Sequence, residues 1–399
     1  MPTGRRLTGF VLLVVVLDAM GIGLLVPATP ALILSLTGKG VAAAAVDGGW
    51  LMATFAFVQL FAGPLLGSLS DARGRRPVLL VSMGSFGCSY VLMACAPSLV
   101  WLFVAQALAG LFAATPATAG ACLADVTPPA ERAAKFGLMA AAFGTGFIIG
   151  PAVGGLLVPL GLRVPFFVAA GLSLLATVYG FFALPESLRR ESRRPFTWHA
   201  SNPLGALRVL CKRPAVGTML GATFLQRLST SVLPAIWPYF AMQEYGWSTL
   251  EVGYSLAGFG LATVFCQVWV LKRLEKRAGT LGAAGIGLAM MTIGFVGFAF
   301  FRGAWVAPVC TVLTNMGFMA GPALAGLLSA RVSGEEQGLL QGMMSSLNGV
   351  AAVVAPLGIP VLFSLFSSGA LPIVFPGAPF LLGATIAVGS LVLVLRVPR

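Results

Sequence analysis

Charge is scarce in this chain. Only 9% of its 399 residues are Asp, Glu, Lys or Arg, and the acids number 12. A soluble domain carries about 25% charged residues. With 58% hydrophobic residues, the chain has too little polar surface to cover a water-facing globule, so a polytopic membrane protein is expected. Histidine is scarcer still: His199 stands alone. One histidine in a polar stretch excludes a buried Ser/His/Asp hydrolase set and any His-based metal cluster. The six cysteines have no paired metal-ligand spacing and sit mostly in apolar runs (Cys88, Cys95, Cys122, Cys266, Cys310). They read as small packing residues in a reduced context. A phosphate-cradling P-loop is absent, so ATP-driven work is not expected, and neither is a bound metal or cofactor of the protein's own.

Apolar runs are what the chain has in quantity. About twelve approach the ~20 residues that a bilayer demands, the first over 8–35 and the last over 374–396. Arg5 and Arg6 open the first run, and no small-residue cleavage site ahead of a soluble domain follows it. That run is therefore expected to stay in the membrane. The net charge of +13 follows the same plan. With the N-terminus on the cytoplasmic side, all but four of the 25 basic residues fall on cytoplasmic connections or at the two ends. The exceptions are Lys39, Arg163, Arg302 and Arg227. The surplus charge is topology, and anionic lipid headgroups are its natural partner. No groove-reading or base-stacking pattern accompanies it, so nucleic acid is not expected as a partner.

The longest connection, about 188–215, divides the chain into an N-terminal six-helix half (1–187) and a C-terminal six-helix half (216–399). The halves repeat. An offset of 205 pairs Glu131 with Glu336, Gly137 with Gly342, Gly144 with Gly349, Pro151 with Pro356, and Gly74 with Gly279. At offset 206, "TPATAG" (115–120) meets "GPALAG" (321–326). A near-constant offset over three regions implies a duplicated six-span unit in one orientation. This is the parallel-halves plan of major facilitator transporters, with a substrate site at mid-membrane.

"GPLLGSLSDARGRRPVLL" (63–80) joins the second and third runs. It resembles the signature loop of the major facilitator superfamily. Gly67 is expected to let helices approach closely. Asp71, Gly74, Arg75 and Arg76 form the polar turn, and Arg75 and Arg76 can brace against Asp125. Such ion pairs would make a gate that must break for the cavity to open inward. Ala72 stands where many members have arginine. "GFIIGPAVGG" (146–155), with Gly146, Gly150, Pro151, Gly154 and Gly155, resembles the fifth-span motif of antiporters in this superfamily. Small residues at those spacings allow close backbone packing.

One acid interrupts the first run. Asp18 falls about ten residues in, or ~15 Å along a helix. A charge at that depth costs at least ~2.5–3.5 kcal/mol, so an idle aspartate is not expected. "LDAMGIGLLVPATP" around it, together with the signature loop, "LADVTPPAER" (123–132), "YGWSTLEVGYSLAGFGL" (245–261) and "QGLLQG" (337–342), is similar to the tetracycline efflux family over nearly the whole chain. That resemblance implies a twelve-helix all-α membrane protein of the major facilitator fold with both termini cytoplasmic. It also implies a monomer of the bacterial inner membrane that exchanges a small-molecule substrate for a proton. The substrate would be a tetracycline carrying a divalent cation such as Mg2+. By position it implies roles for Asp18, Gln59, Asp71, Arg75, Asp125, Arg132 and Gln267, with Asp18 as the proton site. Four polar family positions are changed here, to Ser89, Gln106, Thr263 and Met291. An exporter of another amphiphile and, less readily, a nutrient importer remain as alternatives.

Arg227 is the mirror of Asp18. It lies about eleven residues into the seventh run, at matching depth, beside Gln226. It could pair with Asp18 or bind an acidic edge of the substrate.

Overall fold

The computed structural model describes residues 2–128, 131–193, 195–196, 214–301, 303, 305–333, 336–369 and 371–397. The central-loop residues Arg194, His199, Arg208, Lys212 and Arg213, as well as Arg302 and Arg399, lie outside the described residues. Among the described residues the structure is helical, with no strand. Helices α1 (Pro2–Thr37), α2 (Val41–Arg73) and α3 (Arg75–Cys95) are followed by α4 (Leu99–Leu111), α5 (Thr115–Val126), α6 (Arg132–Leu157) and α7 (Val164–Ala183). Beyond the central connection come α8 (Pro214–Thr230), α9 (Val232–Glu244), α10 (Thr249–Phe265), α11 (Leu271–Phe300), α12 (Val306–Phe318), α13 (Ala320–Ser329), α14 (Gln337–Ser367) and α15 (Ala378–Leu395). A π-helical turn, Cys266–Val270, joins α10 to α11.

Among the described residues, ten helical runs are long and apolar enough to cross a membrane. One of them, Thr249–Phe300, has 52 residues, about 78 Å of helix at 1.5 Å per residue, more than twice a ~30 Å hydrocarbon core. Gly279 interrupts it with φ 70 and ψ 171. This left-handed position suits glycine because it has no Cβ to clash. The related helices α4/α5 and α12/α13 are each a broken span, at Phe112–Ala114 and at Met319. The duplicated "TPATAG" and "GPALAG" segments fall at these two breaks, where Pro116 and Pro322 sit in the first turns that follow. Proline there has no amide hydrogen to lose.

The described chain forms two compact units. The first comprises Met1–Gly38, Thr54–Ala200 and Ser248–Ala257; the second comprises Lys39–Ala53, Ser201–Trp247 and Gly258–Arg399. In the first unit α1 packs against α6, and part of its core is Leu7, Phe10, Val11, Val14, Leu79 and Met83. In the second, Trp237 stacks within a cluster of rings that includes Phe240, Tyr245, Trp247 and Phe298, with Phe380 against Phe240. Trp237 and Tyr239 are therefore core residues, whereas Phe57 and Tyr254 are exposed.

Candidate functional site: a seated aspartate, a clasped signature loop and a free guanidinium

Asp18 is half-buried in the middle of α1. Its helix lies in a groove cut by glycine. A Cβ on Gly146 would run into the Val16 carbonyl; one on Gly150 would stand 2.7 Å from the Met20 carbonyl oxygen; one on Gly154 would run into the Leu24 carbonyl. These contacts bracket Asp18 from about half a turn before to nearly two turns after. The spacing of four keeps all three glycines on one face of α6, so the backbones of α1 and α6 touch directly. The remaining motif residues face another way. Gly155 meets Thr249 and Leu250, and the Pro151 carbonyl meets Gly253. The motif thus seats α1 on one face and the start of α10 on the next.

Within the first unit, among the described residues, the Asp18 carboxylate has no ion pair and no hydrogen bond. Three residues on from Asp18, a Cβ on Gly21 would stand 3.3 Å from the hydroxyl of the buried Tyr90. Ser89 is fully buried and donates back to the Ser85 carbonyl at 2.8 Å. Gln59 donates to the Ala113 carbonyl at 3.4 Å, at the break between α4 and α5. Gln106 lies half-buried on α4.

The signature loop is held together more tightly than its own residues predict. Arg75 pairs with Asp71, reaches Asp125 at 3.4 Å and donates to the Ser70 hydroxyl at 3.2 Å. Ser187 donates to Asp125 at 3.0 Å. Arg76 does not join Asp125: it donates to the Phe181 carbonyl and lies over the Phe181 ring. Glu186, absent from the sequence-based set, completes the clasp. It accepts from the backbone amides of Arg75 at 2.8 Å and Arg76 at 3.3 Å. These are orphan donors at the start of α3, where a carboxylate is favoured. Gly74, at φ 111, carries the chain past Glu186 with no side chain in the way. Arg132 donates to the Thr127 carbonyl at 3.2 Å and stays outside the clasp. Gly67 departs from expectation. It is exposed, and within its unit no described atom lies within 4 Å of a Cβ placed on it.

In the second unit, Gln226 is fully buried; its amide donates to the Gly317 carbonyl at 3.3 Å while its own oxygen has no partner. Arg227 is half-buried beside it. Its Nε is buried with no acceptor, and within this unit no described acid pairs with it. Gly321 leaves room near both: a Cβ there would lie 3.5 Å from an Arg227 Nη and 3.7 Å from the Gln226 amide nitrogen. The hydroxyls nearby are spent on packing. Ser229 bonds the Gly383 carbonyl at 2.8 Å, and Thr230 and Ser231 bond carbonyls of their own helix. Thr263 bonds Asn315, and Met291 is buried against Gly317. Gln267 is exposed in the π-helical turn, a distortion that recurs at functional sites. A cavity of about 700 Å³ near Gly279, Arg331 and Val397 includes none of these residues.

Long apolar helices in two units, each with an isolated polar group inside a span, define a multi-pass membrane protein. The sequence matches the Major Facilitator Superfamily over residues 11–225 and again over 219–399, and the chain belongs to that superfamily. It is 36% identical to the class C tetracycline resistance protein of Escherichia coli over 354 residues, covering 89% of each chain. It is also 36% identical to the class G tetracycline resistance protein of Vibrio anguillarum, covering 88% of this chain and 89% of that one. In fold it resembles a crystal structure of the D323A mutant of the nucleoside transporter NupG, with a TM-score of 0.81 at 13% identity over 98% of this chain and 100% of the other.

Proposed function

We propose that this protein is a proton-coupled antiporter that exports a tetracycline, as its complex with a divalent cation, from the cytoplasm. The observation that carries the reading is Asp18: a carboxylate with no partner in its unit, at mid-helix, on a backbone seated by the three motif glycines. A carboxyl group in that setting can hold a proton in one state and meet a cationic ligand in another, which is the exchange an antiporter performs. The identity to tetracycline resistance proteins over most of the chain supports the substrate. We infer twelve spans: the 52-residue run counts as two crossings divided at Gly279, and α8 with α9 makes the twelfth. The basic connections support a topology with both termini on the cytoplasmic side of a bacterial inner membrane. The transporter works as a monomer surrounded by lipid.

A second reading, export of another amphiphile, is favoured by Ser89, Gln106, Thr263 and Met291, which replace polar family positions. Drug susceptibility of a pump-deficient bacterial host separates the two. Tetracycline resistance that appears with the wild-type gene and vanishes with Asp18→Asn supports the first. Resistance to other amphiphiles, with tetracycline unchanged, supports the second.

A further inference from the structure

Two arginines outside the charged loops spend their donors in opposite ways. Arg163 gives its guanidinium to the Ala94 and Ala96 carbonyls, each at 2.9 Å. It is a structural clamp at the end of α3. Arg227 has five N–H donors and gives none of them to a described residue of its unit, while its Nε is buried without an acceptor. A buried donor left unmade costs roughly 1–3 kcal/mol. The second unit also offers it no acid within the membrane. Its acids are Asp47, Glu244, Glu275, Glu335 and Glu336. Asp47 is paired with Lys39 at 2.8 Å, Glu244 ends α9, Glu275 lies in the basic turn before Gly279, and the last two precede α14. Beside Arg227 the Gln226 amide is fixed by Gly317, and Gly321 presents no side chain to either.

From this we infer that Arg227, positioned beside Gln226, is an anion-recognition point for the transported molecule. It takes a negatively charged oxygen of the carboxylate, enolate or sulfonate class. The guanidinium supplies a planar fork of charge-assisted donors, and the fully buried Gln226 holds its helix against α12 and α13. This inference rests on the efflux reading above and adds to it the charge that the substrate presents to the second unit. A ligand with no anionic oxygen finds nothing to pair with there. An anion or a zwitterion does.

The test uses two probes with one ring skeleton: 1-anilinonaphthalene-8-sulfonate and the neutral N-phenyl-1-naphthylamine. Binding to the full-length protein in nanodiscs is read as fluorescence above that of empty nanodiscs. The expected result is tighter binding of the sulfonate than of the neutral probe by wild type. Arg227→Gln should lower sulfonate affinity about tenfold or more and leave the neutral probe unchanged. Arg227→Lys, which keeps the charge, should retain most of it. Gly321→Val, which leaves the arginine in place but fills its approach, should weaken the sulfonate alone, and it serves if Arg227→Gln fails to fold. Equal loss of both probes, or no loss of either in folded variants, overturns the inference. Tetracycline binding is measured on the same samples. Wild type that binds the sulfonate through Arg227 but not tetracycline rejects the substrate and leaves the anion point standing. Tetracycline binding with no Arg227-dependent sulfonate preference does the reverse.

Discussion

Glu186 and Arg75 lie 111 residues apart, and their meeting explains why the signature loop keeps its shape. The carboxylate takes the first two amides of α3, and Arg75 then turns its side chain to Asp71, Asp125 and Ser70. Two different tasks follow for two charges. Glu186→Ala removes the cap, which should lower stability by about 1 kcal/mol and reduce the melting temperature of the purified protein. Glu186→Gln keeps one acceptor and should fall between. Arg75→Ala leaves the cap but removes the ion pairs to Asp71 and Asp125. If this cluster holds one transport state, turnover should drop about tenfold, equivalent to about 1.4 kcal/mol, while tetracycline affinity in a binding titration changes little. Loss of affinity with normal turnover would contradict the gate. Asp71, Gly74 and Arg75 were legible as a motif because their order is local. Glu186 was not, because nothing in "ALPESLRR" announces a partner so far away. Arg227 was legible as a costly residue at depth, but its lack of partners emerges only once the neighbouring helices are in place.

Among elements, the contact between α1 and α6 is the most specific to one half. Gly146, Gly150 and Gly154 are matched at an offset of 205 by Ala351, Ala355 and Ile359, so the second unit repeats the proline but not the groove. What it does repeat is a crossing. Gly253 packs on the Pro151 carbonyl in the first unit, and Gly49 packs on the Pro356 carbonyl in the second. The duplicated prolines thus mark equivalent backbone contacts, while the glycine stripe is an addition beneath Asp18. Gly150→Val should drive a branched side chain into Met20 and Gly23. Overpacking of this kind costs ~1–3 kcal/mol, visible as a lower melting temperature and lower yield. Gly171 on α7 has open space where a Cβ would stand. Gly171→Ala should be neutral or slightly stabilising, by up to ~1 kcal/mol, and is the control. The glycine pattern was readable as close packing. The helices it packs against were not, since spacing gives a face and not a partner. Gly67 shows the converse: a motif glycine with no described neighbour in its unit where a Cβ would stand.

At the scale of the molecule, hydropathy carried most of the fold. The apolar runs become the helices, and the repeat becomes matching breaks in α4/α5 and α12/α13. The breaks themselves were hidden, because Leu99–Val126 reads as one continuous apolar run. Sidedness is testable directly. In a cysteine-free background, a cysteine replacing Arg396 should react with a membrane-impermeant maleimide in everted vesicles and not in intact spheroplasts. A cysteine replacing Lys39 should do the opposite. Labelling of both from one side would overturn the odd number of crossings between them.

The central claim is that Asp18 carries the exchanged proton, and substrate-driven proton release tests it most directly. Purified protein in detergent, in weakly buffered solution with a pH-sensitive dye, is mixed with tetracycline and Mg2+. Wild type should release protons in proportion to bound drug. Asp18→Asn, folded and matched in side-chain size, should release none. Proton release by Asp18→Asn equal to that of wild type would contradict the account.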